Sequence, residues 1–220
     1  MRNHAGFAGR PKAAFGLFAL AGSICLLGLV GLASSQATAE KAEAPPPPVR
    51  NEIPAAAKNP ETLIQNWPER SRLAARALLE KYGRPDIFDE NRLAWEGNRP
   101  WDETVVRRAA PEDVPALTSR DVLEQSISYR VPPGKTAALK SFDGRLVVDR
   151  ENAVLTSYSA SEGLNYLALN LADEIVEGKR SPEEARAFYR RTAELAEAGK
   201  SSPYMDGFLF PLSARAAPLE

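Results

Sequence analysis

The pattern of apolar and polar positions along the chain begins with one long apolar run, at residues 13–33, that contains no charged residue. Its length is close to the roughly 20 residues that a helix needs to span a bilayer. Arg2, Arg10 and Lys12 precede the run, and the small residues Ala37-Thr38-Ala39 follow it. A basic start, an apolar middle and a small-residue cleavage motif are typical of a secretory signal peptide.

Two outcomes agree with this segment, which we assign to residues 1–39. The motif before Glu40 predicts cleavage between Ala39 and Glu40, the outcome we favour. The length of the apolar run is also that of an uncleaved anchor whose basic end stays inside the cell. In either case we expect residues 40–220 to be periplasmic, and residues 13–33, if uncleaved, to be the chain's contact with the inner membrane.

Residues 40–62 form a predicted linker rich in proline and alanine. Glu40 to Pro60 contains six prolines in 21 residues, four of them consecutive from Pro45 to Pro48. Proline removes a backbone donor and favours the extended polyproline II conformation. We therefore expect a semi-rigid spacer, followed by one domain over residues 63–200 and a C-terminal tail over residues 201–220.

Within the domain, the period of the apolar positions changes from about 3.6 to 2 and back again. A period near 3.6 predicts a helix, and strict alternation predicts a strand with one covered face. The resulting order is a helix over 67–83, a hairpin over 93–107, a strand over 123–131, a short helix over 135–142, a hairpin over 145–158, and two helices over 161–177 and 181–198.

This order predicts an α+β fold with a mostly antiparallel sheet of four to five strands and helices packed on one face. Short connections favour antiparallel pairing of the strands. Ser181-Pro182-Glu183-Glu184 is a capping-box sequence that starts the final helix about three residues after the previous one ends. We therefore predict an antiparallel helix pair at the C-terminal end of the domain.

Composition excludes several functions. The whole chain has 28 Lys and Arg against 29 Asp and Glu, and residues 40–220 have 25 basic and 29 acidic residues, a net charge of −4. A mildly acidic domain of mixed charge is not a predicted nucleic-acid binder. The chain's only His is His4 and its only Cys is Cys25. Residues 40–220 therefore contain no disulfide, no catalytic His or Cys and none of the usual zinc ligands. We predict no cofactor and no metal.

Five carboxylates of the first hairpin and the connection before it are the candidates for acid chemistry. Paired carboxylates serve glycosidases when they lie about 5–10 Å apart, and carboxylate oxygens also bind Ca²⁺. No calcium-loop spacing is present, so we favour ordinary turn and surface roles and assign no catalytic residue. The five residues are Asp86, Asp89, Glu90, Asp102 and Glu103.

Two aromatic pairs are the candidate sites for binding a partner or ligand. Trp95 and Trp101 flank one turn, where they would stack on a sugar or seat a partner's side chain, or else form a core pair, which we favour. Phe208 and Phe210 lie in an apolar run of the tail that either packs back on the domain or docks a partner. Asn165 and Asn170 lie in a buried helix, where we expect them to bond neighbouring backbone.

Several stretches of the domain carry a resemblance to known proteins: Trp67-Pro68, Lys81 to Pro85, Leu93 to Trp95, Pro100-Trp101, Tyr129 to Pro132, and Asn165 to Ala172. Through them, residues 67–192 resemble a family of uncharacterised exported bacterial proteins, a resemblance that implies export in a Gram-negative cell but no activity. Residues 68–106, a helix, a Gly-x-Pro junction and a hairpin with Trp, resemble a unit of small BamE-type envelope lipoproteins. This second resemblance implies a binding or scaffold role.

The sequence therefore favours a non-enzymatic exported domain that binds an envelope protein or a cell-wall component. The alternative is a carboxylate-dependent hydrolase that acts on envelope glycan. The two differ in what the structure must contain: the hydrolase needs two of the five candidate carboxylates in a cleft beside an exposed Trp.

Overall fold

The computed structural model describes residues 59–213; the predicted signal segment, the cleavage site between Ala39 and Glu40 and most of the predicted linker lie outside them. The helices are α1 (Pro60–Leu63), α2 (Glu69–Tyr82), α3 (Thr136–Phe142), α4 (Glu162–Val176), α5 (Pro182–Glu197) and α6 (Pro203–Asp206). The strands are β1 (Ile87–Phe88), β2 (Arg92–Glu96), β3 (Glu103–Arg107), β4 (Leu123–Ser128), β5 (Leu146–Asp149) and β6 (Val154–Ser159).

The strands form one antiparallel sheet in the order β1-β2-β3-β4-β6-β5. The predicted α+β class is confirmed, and both predicted hairpins are present as β2–β3 and β5–β6. The described sheet has six strands rather than four or five. The additional strand is β1, which pairs with β2. It lies in the stretch before the first hairpin, which is predicted as a polar connection. Two residues are too few to show an alternating pattern.

The helices pack on one face of this sheet, as predicted. Register pairs place Trp95 opposite Thr104, Thr104 opposite Gln125, and Gln125 opposite Ser157, so these four residues share a face. All four are buried. On either side of this row lie two apolar clusters, one under α2 and one under α3, α4 and α5. The opposite face of the sheet has no helix packed on it among residues 59–213.

The central helix of the larger cluster is α4, in which ten residues are buried. Its buried Leu and Ala residues, Leu167, Ala168, Leu169, Leu171 and Ala172, belong to the larger cluster. The capping box predicted at the start of α5 is present: Ser181 Oγ accepts from the Glu184 N–H at 3.2 Å, and a Glu184 carboxylate oxygen accepts from the Ser181 N–H at 2.8 Å. Only a short turn separates α4 from α5, so the two helices pack as neighbours in the C-terminal region.

The folded part extends beyond both predicted ends of the domain. Pro60 is buried and starts α1, with the Asn59 side chain accepting from the Glu61 N–H at 2.9 Å. A helix start was therefore missed inside the predicted linker. Asn66 lies in a 3₁₀ turn and does not cap α2. The residue at the N-cap position of α2 is Pro68, and no side-chain hydrogen bond caps the helix there.

At the other end, the tail packs on the larger cluster. Phe208 lies 5.0 Å from the Trp101 ring and 4.9 Å from the Tyr166 ring, and Phe210 packs edge-on to Tyr129 at 5.8 Å. Asn170 fixes the backbone of the tail, because its amide donates to Tyr204 and Gly207 carbonyls and its oxygen accepts from the Leu209 N–H. Phe210 is buried and Phe208 is partly buried in this packing, so the segment is part of the core.

Within residues 59–213, every helix is too short or too polar to cross a lipid bilayer.

Adjacent tail residues should differ sharply in their effect on stability. Phe210 is 8% exposed and Leu209 is 56% exposed. We expect Phe210→Ala to lower the free energy of unfolding by about 3–5 kcal/mol, the usual cost of removing a buried Phe side chain. We expect Leu209→Ala to change it by less than about 0.5 kcal/mol. Urea unfolding followed by Trp fluorescence measures both, and equal effects would contradict this packing of the tail.

Candidate functional site

The candidate tryptophans are buried. Trp95 is 2% exposed and donates its indole N–H to the Gly83 carbonyl at 3.1 Å; Trp101 is 1% exposed and donates to a Glu162 carboxylate oxygen at 2.6 Å. They lie in different apolar clusters and do not form the expected core pair, because Thr104 is the residue opposite Trp95. Trp67, the third Trp of the chain, is also buried. No indole face is therefore open to a sugar or a partner.

Three of the five candidate carboxylates close turns or join strands. Asp86 accepts from the Glu96 N–H at 2.8 Å, and Asp89 accepts from two N–H groups of its own turn. Asp102 accepts from the Ser128 hydroxyl at 2.6 Å. Among residues 59–213, no group of three or more acidic, His or Cys side chains has an arrangement that could hold a metal ion. These roles agree with the structural interpretation that we favoured.

Glu103 differs from these three because other carboxylates surround it. It lies opposite Glu96 in the β2–β3 ladder, on the face of the sheet that carries no helix. Partial burial, followed by repulsion from Glu124 and Glu96, raises the pKa of Glu103. Glu124 itself is paired with Arg107, whose guanidinium donates to it at 2.6 and 2.9 Å. Glu103 is therefore protonated more easily than an ordinary glutamate, but it lies on an open sheet face.

The most heavily bonded carboxylate is one that sequence reasoning missed. Glu162 begins α4 and accepts hydrogen bonds from Lys81, Tyr82, Trp101 and Gln125. Lys81 and Tyr82 lie at the end of α2, Trp101 lies in the turn before β3, and Gln125 lies in the middle of β4. A single side chain therefore joins α4 to three other parts of the fold. An acidic residue in the first turn of a helix is common, and nothing in the local sequence indicates the distant donors.

The chemistry of Glu162 follows from its donors. Burial raises the pKa of Glu162, but hydrogen bonds from Lys81, Tyr82 and Trp101 outweigh burial and hold the pKa below its usual range. The same contact, added to burial, raises the pKa of Tyr82. A carboxylate that is already bonded to several donors and strongly favours its ionised form is a poor general acid or base. We conclude that Glu162 stabilises the fold.

A polar row continues from Glu162 under α4. Gln125 donates to Thr104 Oγ1 at 3.1 Å, and Asn165 donates to the Gln125 side-chain oxygen at 3.0 Å and to the Leu123 carbonyl at 3.5 Å. The prediction that Asn165 and Asn170 bond neighbouring backbone is confirmed. These amides therefore hold α4 on the sheet and the tail on α4, and they do not face a ligand site.

One surface open to a ligand is a groove at the edge of the sheet. It has a volume of about 420 Å³ and lies along β5, the terminal strand in the sheet order. We call it the β5 groove. Its lining residues are Leu146, Val147 and Val148 of β5, the preceding Gly144, Thr136 and Lys140 of α3, and Asp113, Val114 and Pro115 of the loop between β3 and β4.

Comparison with protein family models, with curated proteins and with solved structures finds no match for this chain. The resemblance of residues 67–192 to exported bacterial proteins, and of residues 68–106 to BamE-type lipoproteins, stays a prediction.

Replacing the central carboxylate should destabilise the protein in a pH-dependent way. We expect Glu162→Gln to lower the free energy of unfolding at pH 7 by about 1–3 kcal/mol, since buried donors then lose a charged acceptor. Because the folded pKa of Glu162 lies below its unfolded value of about 4.3, the stabilisation is present above that pH and is lost as the pH falls through the folded pKa.

Urea unfolding at pH 7, 5 and 3 measures this effect. The difference between the native chain and Glu162→Gln should shrink towards pH 3. The matched control is Glu194→Gln, an exposed position on α5, which should stay within about 0.5 kcal/mol of the native chain at each pH. A difference that did not depend on pH would contradict the assigned ionisation.

The opposite sign is expected at Glu103. Its folded pKa is raised, so the native chain loses stability as the pH rises through that pKa. Glu103→Gln should therefore stabilise the protein at pH 7 by about 0.2–1 kcal/mol, the range for cross-strand charge pairs, and have little effect at pH 3. Thermal unfolding at both pH values measures this, and a destabilising effect at pH 7 would exclude repulsion as the dominant interaction.

Proposed function

We propose that this chain is an exported, non-enzymatic binding domain of the bacterial cell envelope. Its partner is an envelope protein or a cell-wall component, and it binds at the β5 groove. The domain lies in the periplasm, either free after cleavage at Ala39 or held at the inner membrane by residues 13–33. The N-terminal segment and the spacer that follows it support the location.

The observation that carries the binding role is the composition of the β5 groove. Its walls and floor consist of aliphatic side chains with one Lys, one Asp and one Thr, and its floor is the edge of a sheet. Ligand sites are typically concave and mostly apolar with a few polar groups for orientation. The groove lacks paired carboxylates, and a lone Asp beside valines and a proline has no partner for acid–base catalysis.

The alternative, a glycan hydrolase, lacks its required geometry in the described residues. Asp86, Asp89 and Asp102 are engaged in turns and strand contacts, and all three tryptophans are buried. Glu103 is not accompanied by an exposed indole. Binding without catalysis is therefore the function that this geometry supports best.

Export and binding are tested separately in living cells. Alkaline phosphatase fused after Glu220 should be active, since the enzyme gains activity only outside the cytoplasm, and deletion of residues 13–33 should abolish that activity. For binding, a photoreactive amino acid placed at Lys140 in the β5 groove should give one discrete crosslinked product.

The matched position is Leu73, which is 57% exposed on α2, the helix that packs on the other apolar cluster. A photoreactive group there should give no discrete product. An inactive phosphatase fusion would overturn the proposed location. Absence of a discrete product from both positions would overturn the binding role, and a product from Leu73 alone would move the binding surface to α2.

A further inference from the structure

The outer edge of β5 has backbone groups without partners. In an antiparallel ladder, alternate residues direct their N–H and C=O groups towards the neighbouring strand. The bond from the Tyr158 N–H to the Arg145 carbonyl, at 3.3 Å, sets this alternation, so the N–H and C=O groups of Val147 point towards β6. The N–H and C=O groups of Leu146 and Val148 therefore point away from β6, towards the outer edge of the sheet.

Of these outward groups, only the Leu146 N–H is used, since it donates to the Asp143 carbonyl at 3.2 Å. Within residues 59–213, the Leu146 carbonyl and both backbone groups of Val148 have no hydrogen-bond partner. Unpaired backbone groups at a sheet edge are a template for an additional strand.

The walls of the β5 groove leave room for such a strand. On the covered side of the sheet, Thr136 and Lys140 of α3 line the groove. The loop of Asp113 to Pro115 lines the groove together with Val147, whose side chain lies on the uncovered face of the sheet. Gly144 permits this arrangement, because a Cβ atom there would lie 2.7 Å from the Ala116 Cβ.

We infer that the β5 groove binds an extended segment of a protein partner, which adds to the sheet as a seventh strand beside β5. This inference rests on the proposed binding function and specifies its ligand. An extended segment offers the alternating N–H and C=O groups that Leu146 and Val148 need. A helix uses its backbone groups internally and has a diameter of about 10 Å, so it satisfies none of them.

The charges on the two walls specify the segment further. Successive side chains of a strand point to opposite faces, so alternate residues of the bound segment face α3 and the intervening ones face the loop. Lys140 on α3 then selects acidic residues among the first set, and Asp113 selects basic residues among the second. The partner segment is therefore an extended, proline-poor stretch that carries acidic and basic residues at positions of opposite parity.

Selection from a random decapeptide library displayed on phage tests this ligand against the full-length chain. Enriched peptides should place acidic and basic residues at positions of opposite parity and lack central proline. Val148→Pro removes the outward N–H and should weaken binding of the enriched peptides by about tenfold or more, the effect of losing one hydrogen bond in a strand pair. Val148→Ala keeps the N–H and should retain binding.

Melting temperatures of both Val148 variants show whether each one folds. If Val148→Pro does not fold, Lys140→Glu serves instead: peptides selected on it should carry basic residues at the positions where the native chain selects acidic ones. Unchanged charge selection with Lys140→Glu, or peptides that bind folded Val148→Pro and the native chain equally, would overturn strand addition. Failure to enrich any peptide would overturn it too.

Strand addition can be wrong while the proposed binding function is right. This is the conclusion if peptides or crosslinked partners bind elsewhere on the domain, or bind the groove without using the Val148 N–H. Only the absence of crosslinked product from Lys140 and Leu73 removes the binding function itself.

Discussion

A carboxylate that is largely removed from water must be surrounded by donors, and this requirement at the partly buried Glu162 organises the described structure. A charge removed from water without partners costs several kcal/mol, so the helix that carries Glu162 can dock only where donors converge. Lys81, Tyr82, Trp101 and Gln125 provide them from three other parts of the fold. The contact therefore fixes where α4 begins on the sheet and joins the end of α2 to the same point.

The same requirement explains why the covered face of the sheet is divided. Thr104, Gln125 and Ser157 form a polar row across three neighbouring strands, with Asn165 above it. Apolar clusters lie on both sides of the row, one under α2 and one under α4. Within the row, Gln125 is bonded to Thr104 and to Asn165. These bonds specify one register, because a shift of one residue would bury the bonded groups away from their partners. Polarity inside this core serves specificity of the fold rather than chemistry.

We propose that the domain binds its partner at the edge of the sheet, where backbone groups have no neighbouring strand to pair with. Asp86, Asp89 and Asp102, three of the carboxylates considered for chemistry, close turns or join strands, and the tryptophans lie in the core. The edge of β5 retains unpaired backbone groups beside a groove, and these groups recognise extended chains rather than particular small molecules. The Lys and Asp on the two walls then add selectivity through charge.

Local periodicity predicted most of the elements, because it reports which face of a helix or strand meets the core. The β2–β3 and β5–β6 hairpins, α4 and the capping box at Ser181 all follow from patterns within about fifteen residues. Periodicity failed at β1 and α1, which are two and four residues long and present no full period. It also did not indicate that Trp95 and Trp101 belong to different clusters, since that depends on which helix covers each end of the sheet.

The sequence by itself determined the α+β class, the order of the longer elements and the absence of His and Cys from residues 40–220, since composition and local period require no knowledge of distant contacts. Only the tertiary structure decided that Glu162 meets Lys81 and Trp101, and that β5 is an edge strand. Those residues are 61 or more positions apart in the chain. Strand order follows from long-range packing, and local patterns do not encode it.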